Sequence, residues 1–153
     1  MCRDQCHHTD FEQVDVGLLL ARSWGRHTLL GGLILNTTTD GIAPVQGVNR
    51  LGGFLRLSGF EENRLTGQQA GLARLVYMRR INDIKQFRTF AGASVEAGNV
   101  WQKTGDIGTG DNILAGSIFV GADTPIGPVY LAYGHNDTGE GSVYLYLGPL
   151  FSF

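Results

Sequence analysis

Helix-length apolar runs and an excess of one charge are both missing from this 153-residue sequence. Its longest uncharged apolar stretches, such as residues 16 to 21, fall far short of the roughly 20 residues that a membrane helix needs, so any membrane span must consist of strands. A net charge of -2 gives no electrostatic reason to expect a nucleic-acid partner. Proline is scarce at 4 residues, whereas 23 glycines are scattered through apolar stretches, a distribution that suits curved, closed sheets.

The start of the chain lacks the apolar run of a secretory signal, because residues 1–10 are polar throughout. The sequence as written therefore predicts no export signal, and a disordered or non-native segment over these ten residues. Cys2, Cys6, His7 and His8 form the one cluster with metal-ligand chemistry. Structural zinc sites usually combine two such ligand pairs across a folded unit, and no second pair lies nearby. We therefore expect no metal and no other cofactor.

Alternation of apolar and softer residues with a period of two recurs along the chain and predicts an all-β fold. The terminal stretch is the clearest, with an apolar row that runs in steps of two from Val143 to Phe153. About seven antiparallel strands are predicted. They cover residues 12–21, 27–38, 67–79, 87–99, 113–122, 129–134 and 142–153.

The predicted connections fall into two classes that alternate along the chain. The short ones cover residues 22–26, 80–86 and 123–128. The longer ones cover residues 39–65, 100–112 and 135–141. Short turns at one end and longer loops at the other are typical of antiparallel up-and-down transmembrane β-barrels, and bacterial single-chain barrels have even numbers of strands. An odd set of about seven strands therefore indicates an incomplete, C-terminal part of such a barrel over residues 11–153.

The last strand also resembles the assembly signal that ends bacterial outer-membrane barrels, a polar-x-Gly-x-x-apolar-x-apolar pattern. Tyr146, Gly148, Phe151 and Phe153 fit it. This resemblance implies recognition of the C-terminal strand by the barrel assembly machinery. The competing interpretation is the last edge strand of a soluble sandwich.

Several stretches resemble the bacterial surface-antigen (BamA/TamA-like) barrel superfamily, and most closely the barrels of patatin-like phospholipase autotransporters. The stretches are residues 51–60, 63–67, 75–80, 94–101 and 119–130. The resemblance implies a barrel in the outer membrane of a Gram-negative bacterium, with outer-membrane lipid and the remainder of its own barrel as partners. It also implies a translocator or anchor function for a patatin-like domain.

In that superfamily a long loop folds into the barrel lumen and presents an apolar-Arg-Gly-aromatic tetrad. Residues 39–65 would be this lumen-directed loop, and Leu57-Ser58-Gly59-Phe60 align with the tetrad, with Ser58 in place of the arginine. We expect Arg56 to substitute for it and to pair with Glu96, which lies on the polar parity of its strand. Arg74 is a competing partner, and the alternative is that all three charges are simply solvated.

No catalytic motif is complete in the sequence. A patatin site needs Gly-x-Ser-x-Gly, which Gly92-Ala-Ser-Val-Glu96 lacks at its last position, and Asp40-Gly41 is followed by isoleucine. Asp137-Thr138-Gly139 has the letters of an aspartic-protease triplet but the composition of a turn. We therefore expect no catalysis. The alternative function is a soluble β-barrel or sandwich that binds a small apolar ligand within its apolar face.

Overall fold

A computed structural model of the chain describes residues 12–40, 49–82, 87–102 and 112–148. Its regular structure consists of nine β-strands, and within these residues no helix is long and apolar enough to cross a bilayer. The strands are β1 (Glu12–Trp24), β2 (His27–Asp40), β3 (Asn49–Leu51), β4 (Leu65–Gly67), β5 (Gln69–Asn82), β6 (Thr89–Trp101), β7 (Ile113–Thr124), β8 (Gly127–Asn136) and β9 (Gly141–Leu147). The predicted all-β class is confirmed.

Seven of the strands form one antiparallel sheet in the order β1-β2-β5-β6-β7-β8-β9. Neighbours along the chain are neighbours in the sheet, and only the insertion of β3 and β4 interrupts the meander. These two short strands pair with each other as a separate hairpin. The segment 39–65, predicted as one loop, therefore contains regular structure at both ends of its described part.

Connections between sheet strands emerge alternately at two ends of the sheet. The turn end carries the two-residue turns at Gly25–Arg26 and Pro125–Ile126, together with the connection from β5 to β6. The loop end carries the connections that follow β2, β6 and β8. One prediction was wrong here: the β8–β9 connection comprises only residues 137–140, because β8 and β9 both extend beyond their predicted limits, and it is no longer than the β5–β6 connection.

The two faces of the sheet differ in chemistry. On the face that we call the outer face, large aliphatic side chains stand exposed along successive strands, for example Leu18 on β1, Leu75 on β5, Ile118 on β7 and Leu145 on β9. Leu145 is 71% exposed. Because side chains alternate across a strand, the residues between them point to the opposite, inner face. The period-two pattern in the sequence thus becomes two continuous surfaces.

The inner face is covered by the segment between β3 and β4, residues 52–64, which we call the docked loop. Its Leu55 packs in a cluster with Val76 and Phe119. Its Leu57 and Phe60 pack in a second cluster with Leu72. The buried core of the described chain therefore lies between the sheet and its own loop, and the outer face contributes little to it.

The two edge strands run in the same direction, because six successive antiparallel pairings separate β1 from β9. In the part of the chain that the structure describes, each of them pairs on one side only. An antiparallel closure of this sheet requires an odd number of additional strands between β9 and β1, because each antiparallel pairing reverses the direction. The described strands form an open sheet.

Candidate functional site

The docked loop holds a backbone that is unfavourable in isolation. Leu55 and Leu57 have positive φ angles of 61° and 69°, although both are large L-residues. Positive φ costs roughly 1 to 2 kcal/mol for such a residue, and it persists only where the surroundings over-determine it. Both side chains are almost completely buried against the sheet. The contacts with the sheet therefore fix the loop conformation.

The centre of this contact is the carboxylate of Glu96 on β6, which is 0% exposed. One carboxylate oxygen accepts a hydrogen bond from the Ser58 backbone N–H at 2.7 Å, and the other accepts one from the Ser58 hydroxyl at 2.8 Å. The Ser58 hydroxyl in turn accepts from the Leu55 N–H at 3.2 Å. Hydrogen bonds to an ionised carboxylate are roughly twice as strong as neutral ones, and burial strengthens them further. Glu96 therefore binds the loop through both the backbone and the side chain of one residue.

Two serines on the sheet complete the surroundings of this carboxylate. The Ser94 hydroxyl donates to Glu96 at 2.5 Å, and the Ser94 and Ser117 hydroxyl oxygens lie 2.7 Å apart. Since the Ser94 proton is directed at Glu96, Ser117 must donate to Ser94. Ser94 precedes Glu96 by two residues and so lies on the same face, and Ser117 is its register partner on β7. A buried charge needs such donors to offset its desolvation.

Arg74 on β5 binds the same loop from the other side of Glu96. Its register partner across the strand pair is Glu96 itself, and its guanidinium donates to the Leu55 carbonyl at 3.1 Å. Burial of the two opposite charges side by side lowers the cost of each. Arg74 thus binds a carbonyl of the docked loop, and Glu96 binds a backbone N–H of the same loop.

Residues of β9 hold the next part of the loop. The Tyr144 hydroxyl donates to the Phe60 carbonyl at 2.5 Å and accepts from the Gly59 N–H at 2.8 Å. Ser142 donates to the Gly59 carbonyl at 2.9 Å. These three bonds satisfy backbone groups of a buried loop that has no strand partner there. The last described strand is therefore tied to the tetrad.

The loop also approaches the sheet backbone closely. A Cβ atom on Gly134 of β8 would lie 2.6 Å from the Ser58 Cβ and 2.8 Å from the Gly59 nitrogen. A Cβ on Gly59, where φ is 104°, would lie 2.8 Å from the Glu140 carbonyl oxygen. Both distances exclude a side chain. The absence of side chains at these two glycines permits the approach that brings Ser58 to Glu96.

An exposed contact lies at the end of the docked loop that leads into β4. Arg64 forms an ion pair with Glu140 at 2.7 Å, and its guanidinium carbon lies 5.9 Å from the centre of the Phe60 ring. Both members of the ion pair are partly exposed, so the pair contributes less than the buried contacts. It connects the docked loop with the β8–β9 connection.

The structure differs from the predicted Arg56–Glu96 ion pair. Arg56 is exposed, and its guanidinium donates to the Arg50 carbonyl at 3.3 Å. Ser58, the residue aligned with the motif arginine, provides the loop's hydrogen bonds to Glu96 instead. Because a serine side chain is short, it can reach Glu96 only if the loop backbone lies next to the carboxylate, and the Ser58 N–H then binds the carboxylate as well.

The remaining predicted residues are distributed as follows. Leu57 and Phe60 are buried in the loop contact, and Tyr146 packs its ring near Phe54 at a centroid distance of 6.4 Å. Gly148 has a φ of 126° immediately after β9. Phe151 and Phe153 lie outside the described residues, as do Cys2, Cys6, His7 and His8. Among the described residues no group of histidine, cysteine and carboxylate side chains is arranged to hold a metal ion.

Sequence reasoning missed Ser94, Ser117, Tyr144 and Gly134 as members of this site. Ser94 carried a usable signal, since it shares the polar parity of Glu96 two residues away. Tyr144 carried a weaker signal, a polar group on the softer parity of the last strand. Gly134 carried none, because its role depends on which segment lies above it.

No family model and no curated protein matches this chain.

Removing the Tyr144 hydroxyl should loosen the loop without altering the sheet. We expect Tyr144→Phe to lower the free energy of unfolding by about 1 to 3 kcal/mol, because a loop N–H and a loop carbonyl both lose their partner. The matched control is Tyr133→Phe on the neighbouring strand, whose side chain lies on the outer face. Urea titration of both variants, refolded in detergent micelles, measures the difference, and equal midpoints would contradict the assigned contact.

Proposed function

We propose that this chain is a wall segment of an outer-membrane β-barrel of the surface-antigen type. In this proposal the outer face contacts lipid, the inner face lines the lumen, and the docked loop lies inside that lumen. The segment anchors a surface-directed domain, such as a patatin-like hydrolase, and assists its passage. It performs no catalysis itself.

The observation that carries the proposal is the exposed apolar outer face. It extends across the sheet from Val14 to Leu20 on β1 and from Val143 to Leu147 on β9. Burying one such side chain is worth about 1.5 to 3 kcal/mol, so a whole face left in water is strongly unfavourable. Monomeric soluble proteins rarely expose apolar patches of more than a few hundred Å². A lipid bilayer would cover all of these exposed aliphatic side chains at once.

The polar inner face supports the same proposal. Transmembrane barrels alternate apolar residues toward lipid with polar residues toward the interior. Here Arg74, Ser94, Glu96 and Ser117 all have inner-face parity, next to exposed aliphatic neighbours of the opposite parity such as Leu75 and Val95. An ordinary soluble sheet would show the reverse distribution.

The alternative function, a soluble binder of a small apolar ligand, needs an apolar cavity on one face of the sheet. The inner face offers little room for one, since Leu55, Leu57 and Phe60 of the docked loop pack onto it. A space of about 480 Å³ beside the docked loop has a mixed lining: Asp15, Asn36, Arg56 and Arg74 border it together with Val16, Gly17 and Ile34, so it is not the apolar cavity that such a ligand needs. The distribution of side chains thus favours the lumen of a barrel.

Insertion into lipid can be tested with a charge on the outer face. We expect the refolded chain to float with phosphatidylcholine vesicles and to aggregate in plain buffer, because edge strands and apolar rows both remain uncovered in water. Leu145→Arg should weaken vesicle insertion by about 2 to 4 kcal/mol if the residue lies near the bilayer midplane. The control is Thr66→Arg, which adds the same charge at an exposed position of β4. A monodisperse wild-type monomer in plain buffer would contradict the proposal.

A further inference from the structure

Arginines are concentrated at the turn end of the sheet. Arg22 near the end of β1, Arg26 in the first turn, and Arg79 near the end of β5 are all exposed. Arg80 and Arg88 flank the β5–β6 connection at the same end. Of the described residues there, Asp123 is the carboxylate, and it has the inner-face parity of β7. In the part of the chain that the structure describes, Arg22 and Arg79 therefore give the outer face at this end a positive charge.

Three rings lie on the outer face beside these arginines. His27 stacks on Trp24 at a centroid distance of 6.2 Å and on Tyr77 at 5.9 Å, so the rings form a row across β1, β2 and β5. The His27 Nδ1 atom and the Tyr77 hydroxyl oxygen are 2.6 Å apart, which fixes the row. Trp24 and Tyr77 nevertheless remain 48% and 39% exposed. Rings with an apolar body and a polar tip are enriched where a membrane meets water.

Arg22 marks the level at which the outward aliphatic row of β1 ends. On β1, Val14, Val16, Leu18 and Leu20 face outward before Arg22 does. At about 3.4 Å per residue, the four aliphatic positions span about 20 Å along the strand. An outward arginine is much less costly near a bilayer surface than at the bilayer midplane, so Arg22 and Arg79 belong at headgroup level.

A surface groove lies among the same arginines. It has a volume of about 400 Å³ and is lined by Arg26, Arg79, Arg80, Ile81 and Ala91. Guanidinium groups recognise phosphate oxygens in bidentate geometry, and Ile81 and Ala91 offer an apolar floor beside them. This combination matches a group that carries a phosphate at one end and hydrocarbon at the other.

We propose that the turn end of the outer face binds the phosphate headgroups of anionic phospholipids through Arg22, Arg26 and Arg79. The inference rests on the proposed membrane location and adds a lipid class to it. Two observations identify an anionic phospholipid as the occupant. The positive charge of the arginines complements its phosphate, and the apolar rows next to the arginines would contact its hydrocarbon chains. Each basic residue near an anionic surface contributes about 1 kcal/mol, so two of them change the partition about thirtyfold.

The test is co-flotation of the full 153-residue chain, refolded from denaturant, with two vesicle types. One is phosphatidylcholine alone, and the other contains phosphatidylglycerol as well. We expect the anionic lipid to raise the bound fraction, and Arg22→Gln with Arg79→Gln to lower that enhancement by about ten- to thirtyfold. The control is Arg50→Gln with Arg56→Gln, which removes the same charge from two exposed positions of the loop region; it should retain the enhancement.

The outcomes separate the two proposals. Failure of the wild-type chain to bind neutral vesicles would overturn the membrane location itself. Binding to neutral vesicles without any anionic enhancement would overturn only the headgroup site. Equal losses in the turn-end and control variants would show that only the net charge of the chain matters. Competition by millimolar inorganic phosphate would identify a site for free anions. Either result overturns the assignment to lipid.

Discussion

Glu96→Ala should release the docked loop from the sheet. The substitution leaves the Ser58 N–H, the Ser58 hydroxyl and the Ser94 hydroxyl without their shared acceptor. It also removes the carboxylate from the register position opposite Arg74. Removing one partner from a buried charged network costs about 3 to 5 kcal/mol, because the remaining polar groups stay desolvated. We expect a loss of this size in the free energy of unfolding.

Trypsin offers a second measurement of the same release, since Arg64 lies within the loop. Its cleavage in micelle-refolded Glu96→Ala should be much faster than in the wild type. Arg56→Ala serves as the control, because the Arg56 side chain is exposed and donates to the Arg50 carbonyl, and the alanine keeps the backbone hydrogen bonds of this residue. The substitution should lower the free energy of unfolding by no more than about 0.5 kcal/mol. A Glu96→Ala variant as stable as the wild type, or an equally large effect in Arg56→Ala, would contradict the site.

Combining Ser58→Ala with Glu96→Ala tests whether the two residues act as a unit. Residues in direct contact show non-additive effects, so the double variant should lose clearly less than the sum of the single losses. Strict additivity would indicate that the Ser58 hydroxyl and the carboxylate do not interact.

Gly134→Val should displace the loop by a different route, through steric conflict. The added Cβ would lie 2.6 Å from the Ser58 Cβ, and valine carries two further methyl groups. Forcing such volume into a packed contact costs about 1 to 3 kcal/mol, and expulsion of the loop is the cheaper response if the strand does not move. Valine is otherwise favoured in strands over glycine, so a loss of stability here has its cause in the loop.

The matched control for this variant is Gly31→Val on β2. A Cβ at Gly31 meets no atom within 4 Å, so the substitution should be neutral or mildly stabilising. Urea midpoints and trypsin cleavage at Arg64 measure both variants. Equal stability of the two valine variants would mean that the loop does not lie on Gly134.

The sequence predicted the sheet well because strand alternation is a local property. Each sheet strand was located from its own apolar rhythm, and β5 and β6 were placed within three residues of their observed limits. Glu96 and Arg74 could be assigned to the inner face for the same reason.

The loop contact was harder to predict, because its geometry depends on residues that are distant in sequence. Tyr144 reaches the Phe60 carbonyl across 84 positions, and no local pattern announces that bond. Charge alone suggested Arg56 as the partner of Glu96. The positive φ of Leu57 and the bare backbone at Gly134 instead bring Ser58 to the carboxylate. Such effects of tertiary packing have no signature in a single sequence.

The measurement that most directly tests the membrane account is a labelling scan along β9. Residues 142 to 147 would be replaced by cysteine one at a time, with Cys2 and Cys6 changed to serine, and each variant labelled with an environment-sensitive fluorophore. After refolding into vesicles that contain brominated lipid, quenching should be strong at Val143, Leu145 and Leu147 and weak at Ser142, Tyr144 and Tyr146. Uniform quenching, no quenching, or the opposite alternation would contradict a lipid-facing outer surface.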